Sequence, residues 1–155
     1  MNIIIKEFEE KYYSQLVNLI KSVLNEYEFT FDVGDIKNDM NKLKKSKSYS
    51  KKNEKFWIAL DDNKLVGSIA IRDRKDDDLA ELKRFYLLPE YRGLGIGSKL
   101  YDTAEKFAKG YTYRGIWLES SRKFVNAAKL YKRKGFTLTE ELNNDWEDNL
   151  YHKIF

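Results

Sequence analysis

Three glycines in five residues, Gly93, Gly95 and Gly97, follow the apolar run Phe85–Leu88 and Pro89 and precede a helical pattern over Ser98–Lys109. This predicts a strand, a tight loop and a helix start, because proline lacks an N–H to continue a ladder and glycine tolerates positive φ. The first N–H groups of such a helix have no intrahelical partners and sit at the positive end of its dipole. The stretch Arg92-Gly93-Leu94-Gly95-Ile96-Gly97 therefore reads as an anion cradle suited to phosphate or pyrophosphate. Taken alone, it reads equally well as a structural turn.

Spacing excludes two phosphate motifs. A nucleotide-triphosphatase loop needs Gly-x-x-x-x-Gly-Lys-Ser/Thr, but the residue five after Gly93 is Ser98 and no lysine-hydroxyl pair follows. A dinucleotide fingerprint needs a third glycine where Ser98 or Leu100 stands. The chain has no cysteine and one histidine, His152. That leaves no disulfide framework, thiolate metal site, histidine cluster or cysteine nucleophile, and no metal is expected.

Hydrophobic residues make up 42% of the 155, enough for one core, and no Pro/Gly/Ser-rich linker divides them, so residues 1–155 read as a single domain. Neither a signal-peptide pattern nor an 18-residue apolar run is present, so a cytoplasmic protein with no membrane partner is expected. The +4 net charge would attract an anionic ligand. Its densest part, Lys42–Lys55, reads as a solvated loop, since only Tyr49 could stack a base there, and no nucleic-acid partner is expected.

Periodicity and turn residues order the elements. Asn2–Phe8 reads as a strand, Tyr12–Leu24 as an amphipathic helix, and Phe29–Leu43 as a loop entering a short helix capped by Asp35. Phe56–Leu60 and Leu65–Arg72 form a hairpin across Asp61–Lys64. After a charged turn at Asp73–Asp78, Leu79–Leu88 is a third antiparallel strand. Gly115–Glu119 is a strand, Lys123–Lys134 a helix stopped by Gly135, and Phe136–Thr139 and Leu150–Phe155 two closing strands. The order β-α-α-β-β-β-α-β-α-β-β predicts an α+β fold in α/β/α layers: a mixed, mostly antiparallel sheet of six or seven strands with helices on both faces.

Two blocks then resemble one family. Glu81-Leu-Lys-Arg-Phe-Tyr-Leu-Leu-Pro-Glu-Tyr-Arg-Gly-Leu-Gly-Ile-Gly97 is similar to the fourth strand, pyrophosphate loop and third helix of the GCN5-related N-acetyltransferase (GNAT) family. Asn126-Ala-Ala-Lys-Leu-Tyr-Lys-Arg-Lys-Gly-Phe136 is similar to its later helix. The resemblance spans the chain in element order, but its specific motifs lie between Glu81 and Phe136. It implies acetyl-CoA as cosubstrate and direct attack by an amine on the thioester.

By that resemblance, the backbone of Arg92, Gly93, Leu94, Gly95, Ile96, Gly97 and Ser98 takes the pyrophosphate, with charge from the Arg92 side chain. A bulged fourth strand splays from the fifth, so that the cosubstrate's pantetheine arm pairs with the backbone of Tyr86, Leu87 and Leu88. The Leu87 N–H would stabilise the oxyanion, a contribution of roughly 3–4 kcal/mol for one such donor. Asn126 would bind the same arm. Tyr131 is implied as the general acid, although its stripe with Phe124, Ala127 and Ala128 reads on spacing alone as core.

A primary amine with pKa near 10.4 is unprotonated in only about one molecule in 2,500 at pH 7, so a base is useful. Glu81 is the first candidate; a substrate-binding carboxylate or a plain strand-end charge are its other readings, and Glu119 could serve through water. Tyr27, Phe29, Phe31, Trp57, Glu26, Glu28 and Asp32 are the expected acceptor wall, since aromatics beside carboxylates suit a cationic amine. The expected acceptor is a small polyamine, amino acid or drug-like amine. A protein lysine or amino terminus, or a catalytically inactive CoA-binding module, are the alternatives, in a monomer or homodimer.

Overall fold

The computed structural model describes residues 1–32, 35–75 and 77–155. The charged turn expected at 73–78 and the loop before the second helix thus fall partly outside the described residues. Seven strands and four α-helices follow in order among those described, with two short 3-10 turns besides: β1 Ile3–Glu7, α1 Tyr13–Glu26, α2 Ile36–Lys44, β2 Lys55–Asp61, β3 Lys64–Asp73, β4 Leu79–Leu87, α3 Ile96–Lys109, β5 Gly115–Ser121, α4 Val125–Arg133, β6 Thr137–Glu141 and β7 Asp148–Ile154. Their order in the open sheet is β1-β2-β3-β4-β5-β7-β6, antiparallel except for the β4/β5 pair. This is the expected α+β architecture with seven strands.

The sheet separates two cores. On one face α3 and α4 cover Ala59, Val66, Ile69, Leu82, Ile116 and Leu118, with Leu100, Tyr101, Leu130 and Tyr131 pressed down from the helices. On the other, Leu16, Ile20 and Leu24 of α1 and Met40 of α2 cover Phe56, Ile58, Leu60 and Ala70. The alternation of strand side chains explains both sets, since neighbours such as Ile69 and Ala70 must face opposite layers. It also corrects the expected acceptor wall at Trp57, which is buried in the α3 core edge-on to Phe107.

Two local features differ from the sequence reading. Asp35 stands at the N-cap of α2, yet its side chain makes no cap hydrogen bond; it pairs with Lys83 instead. Tyr49, in the lysine-rich segment, points inward and donates to the Asp39 carboxylate at 2.7 Å, so it offers no exposed stacking face.

The main irregularity lies in β4. Tyr86 pairs with Ser68 and Lys83 with Ala70, so Arg84 and Phe85 together oppose the single Ile69. This is a β-bulge, with Arg84 in the left-handed region at φ 54°. Beyond it β4 leaves its parallel neighbour: pairing with β5 covers only Leu79–Leu82 against Gly115–Leu118. A wedge-shaped gap opens between the C-terminal halves of the two strands.

Gly115 anchors the unsplayed end of that wedge, paired with Leu79 on one side and Ile154 on the other. A Cβ there would run into the Lys153 carbonyl oxygen and stand 3.0 Å from Ile154 Cα. Gly115→Ala is expected to lower stability by about 2–3 kcal/mol in urea unfolding, the scale of overpacking against backbone.

Candidate active site

A cavity of about 480 Å³ runs through the wedge and reaches both faces of the sheet. It is lined on the α3/α4 side by Gly93, Gly95, Gly97, Ser98, Asn126 and Tyr131, and on the α1/α2 side by Tyr27, Glu81, Lys83, Arg84 and Glu119. Helix α3 starts at Ile96, two residues before the expected Ser98, with Gly95 as N-cap and no side chain capping it. The bond Lys99 N–H to Gly95 C=O opens the helix, so the N–H groups of Gly95, Ile96, Gly97 and Ser98 have no intrahelical partner.

Gly93 and Gly95 adopt φ values of 74° and 83°, and a Cβ at either would meet nothing within 4 Å. Their glycine identity thus answers to backbone conformation and to the open space above the cradle, not to crowding by the protein. At Gly97, inside the helix, a Cβ would only touch Phe85 at 3.7 Å.

On the opposing wall the β3 ladder decides which β4 groups are free. Leu88 N–H donates to Val66 C=O at 2.9 Å, and Leu88 C=O accepts from Tyr91 N–H. Antiparallel pairs alternate between bonded and non-bonded, so Ser68–Tyr86 is again a bonded pair and Gly67–Leu87 is not. The backbones of Tyr86 and Leu88 are thereby committed to the protein, correcting the expectation that all three residues could pair with a ligand. Leu87 alone of the three turns its N–H and C=O into the wedge.

Arg92 fixes that peptide. Its Nε and Nη2 donate to the Leu87 carbonyl oxygen at 3.1 and 2.9 Å, and Nη1 and Nη2 form a fork with the Glu26 carboxylate at 2.6 and 2.9 Å. Four of its five N–H donors are thus engaged. The side chain expected to serve phosphates is largely occupied in bracing β4 against the end of α1. Glu26 belongs to that brace rather than to the acceptor wall.

Tyr131 lies within the α3/α4 core at 4% exposure, tilted against Phe136 and Tyr151, and still lines the cavity. Burial pushes its phenol well above the usual tyrosine value, a rise that the neighbouring Ser120 hydroxyl partly offsets. The group therefore keeps its proton at any working pH. Core packing, which spacing alone suggests, and cavity lining, which the resemblance implies, hold together here.

Across the wedge, Glu119 is raised by burial and by the carboxylates of Asp148 and Glu81, with Lys83 opposing. Asp148, at the start of β7, is raised mainly by burial. Glu81 packs beside Arg72 at 3.7 Å. Several expected wall residues stand apart: Phe29 lies behind the lining, stacked on Trp146 at 4.2 Å, Phe31 lies under Lys21, and Asp32 pairs with Lys37. Trp146, Phe124 and Asp148 line the cavity and were missed from sequence. Trp146 sits in the β6–β7 connection, where no periodicity marks a facing, and Phe124 reads only as part of a helical stripe. Among the described residues, no helix is long and apolar enough to cross a membrane.

Comparison with known proteins finds a matching family and similar folds. The sequence model of the Acetyltransferase (GNAT) family matches residues 20–136. An uncharacterized N-acetyltransferase of Escherichia coli (strain K12), YjgM, is 29% identical over 123 residues, covering 78% of this chain and 74% of that protein. Other curated relatives are longer, and the chain spans 27–46% of their length. The crystal structure of an acetyltransferase from Streptococcus agalactiae 2603 superposes with a TM-score of 0.83 at 29% identity, over 99% of this chain and 98% of that one. That of the PaiA N-acetyltransferase from Thermoplasma acidophilum, in complex with coenzyme A, gives 0.79 at 25% identity over the full length of both.

The raised Glu119 carboxyl has a consequence for stability. A carboxyl whose pKa is higher folded than unfolded costs nothing while both states are protonated, and costs increasingly as pH rises through the unfolded and then the folded value. Glu119→Gln should melt at a higher temperature than the native protein at pH 7, and the two should converge below about pH 4. A lower melting temperature at pH 7 would mean that the carboxylate is held favourably.

Proposed function

The chain belongs to the GNAT acetyltransferase family, and on that premise we propose that it moves the acetyl group of acetyl-CoA directly to a primary amine of a small molecule, a polyamine, an amino acid or a drug-like amine. The observation that carries this reading is the meeting, in one cavity, of the open α3 N-terminus, the unpaired Leu87 N–H and the buried Tyr131 phenol. The first suits a pyrophosphate, the second a thioester oxygen, and the third a departing thiolate. Asn126, on the first turn of α4, is suited to amide groups of the arm between them.

In the proposed reaction the cosubstrate lies on the α3/α4 side, its diphosphate on the N–H groups of Gly95 to Ser98 and its thioester oxygen on Leu87 N–H. The amine reaches the thioester from the α1/α2 side. Its nitrogen lone pair forms the C–N bond, the C–S bond breaks, and the thiolate takes the Tyr131 proton. The proton lost by the amine goes to Glu119 or Glu81, directly or through water. The raised Glu119 carboxyl is suited to act as base, because a carboxylate with higher pKa accepts a proton more readily. No covalent enzyme intermediate is required, consistent with a chain without cysteine.

The reading is tested by following free thiol released from acetyl-CoA across a panel of amines, alongside CoA-dependent thermal stabilisation. Stabilisation without thiol release from any amine would leave a binding module and overturn the enzyme reading. Tyr131→Phe should lower turnover about 10–100-fold with little change in acetyl-CoA affinity. Turnover equal to the native protein's would return Tyr131 to a packing role alone.

A further inference from the structure

The β4 bulge does more than open the wedge. Alternation would send Lys83 and Arg84 to opposite faces, but the extra residue turns both toward α2, where Lys83 Nζ meets Asp35 at 2.9 Å and Arg84 Nε meets Asp39 at 2.8 Å. The Arg84 side chain is 95% buried and lines the cavity. Its Nη2 makes no well-aligned hydrogen bond among the described residues and is held only by an ion pair with Asp35 at 3.3 Å. A desolvated guanidinium N–H whose one partner is poorly aligned leaves room for a better-placed acceptor. Asp35 is itself mostly exposed, so its hold on this pair of cations is one that an incoming carboxylate can share or replace.

We propose that the acceptor amine carries a carboxylate, which Lys83 and Arg84 bind together at the bulge. The proposal rests on the acetyl-transfer reading of the cavity and narrows its acceptor to amino acids and related amine-carboxylates. The two ends of such a molecule match the two chemistries of this half of the cavity. Glu119, Glu81 and Asp148 face an ammonium, and burial and mutual repulsion already disfavour a charged Glu119 until a cation arrives. A planar carboxylate matches the guanidinium fork and the ammonium beside it. A polyamine would instead set a second cation against Lys83 and Arg84.

The test compares, by thiol release from acetyl-CoA, free L-amino acids with their own carboxamides and with diamines. A free acid should exceed its carboxamide by about 10–100-fold in kcat/KM, the scale of one charged hydrogen bond. Lys83→Gln should narrow that preference about tenfold through KM for the acid. Arg84→Gln strands the buried Asp39 and risks unfolding, so Arg84→Lys, which keeps the charge and removes the fork, is the second variant, and it should narrow the preference likewise. Carboxamides or diamines turned over as well as the acids would overturn the carboxylate site and leave acetyl transfer standing. Thiol release with none of these amines, but with others in a wider panel, would also overturn it. Absence of release with every amine would overturn both readings.

Discussion

The insertion of one residue into β4 at Arg84 is the constraint on which the site depends. A regular β4 would continue its parallel ladder along β5, and the Leu87 peptide would be consumed there as the peptides of Leu79–Leu82 are. The bulge bends the strand, the ladder ends at Leu82, and the N–H and C=O of Leu87 are left without a strand neighbour in the middle of a sheet. Unpaired backbone groups are costly unless a ligand, solvent or side chain completes them. Here Arg92 completes the Leu87 carbonyl, and the Leu87 N–H remains for a ligand.

The positive φ at Arg84 needs support, since a large side chain disfavours that region by about 1 kcal/mol or more. Support comes from the buried pair with Asp39, which also accepts from Tyr49 and lies near Arg72 at 3.4 Å. Removing one partner of such a buried pair costs about 3–5 kcal/mol, because the other charge is left stranded, so the pair fixes where Arg84 can sit. The same contact ties α2 to the sheet. Helix α2 thereby helps hold the wedge open without touching the thioester position.

Much of this was legible beforehand. The glycine loop, Pro89 and the Asp61–Lys64 turn carry local chemistry that admits few conformations, so the element order and the α3 cradle follow from them. The bulge has no such mark. Lys83-Arg84-Phe85-Tyr86 is compatible with an unbroken strand; the family resemblance implies a bulge on this strand, and only the structure places it at Arg84. Facing was equally hidden for aromatics: Trp57 is an expected wall residue and Trp146 is not, but strand alternation sends the first into the α3 core while a loop swings the second over the cavity. Such outcomes are set by tertiary packing, to which a single sequence gives no direct access.

Arg92 shows how one side chain joins these levels. Its sequence position beside the glycines suggests service to phosphate, yet its donors go to the Leu87 carbonyl and to Glu26. The Leu87 carbonyl and N–H belong to adjacent planar peptides joined at one Cα, so Arg92 on the carbonyl, together with the Leu88 N–H bond to Val66 in the same peptide, fixes the C-terminal side of the residue that offers the N–H. A donor aimed in advance stabilises developing charge more than one that must reorient during reaction. Since Arg92 lies five residues from Leu87 and begins the cradle, the two ends of the proposed donor site are mechanically joined. A shift of the glycine loop would be felt at Leu87, and the Glu26 fork carries the same constraint to α1, which borders the acceptor side.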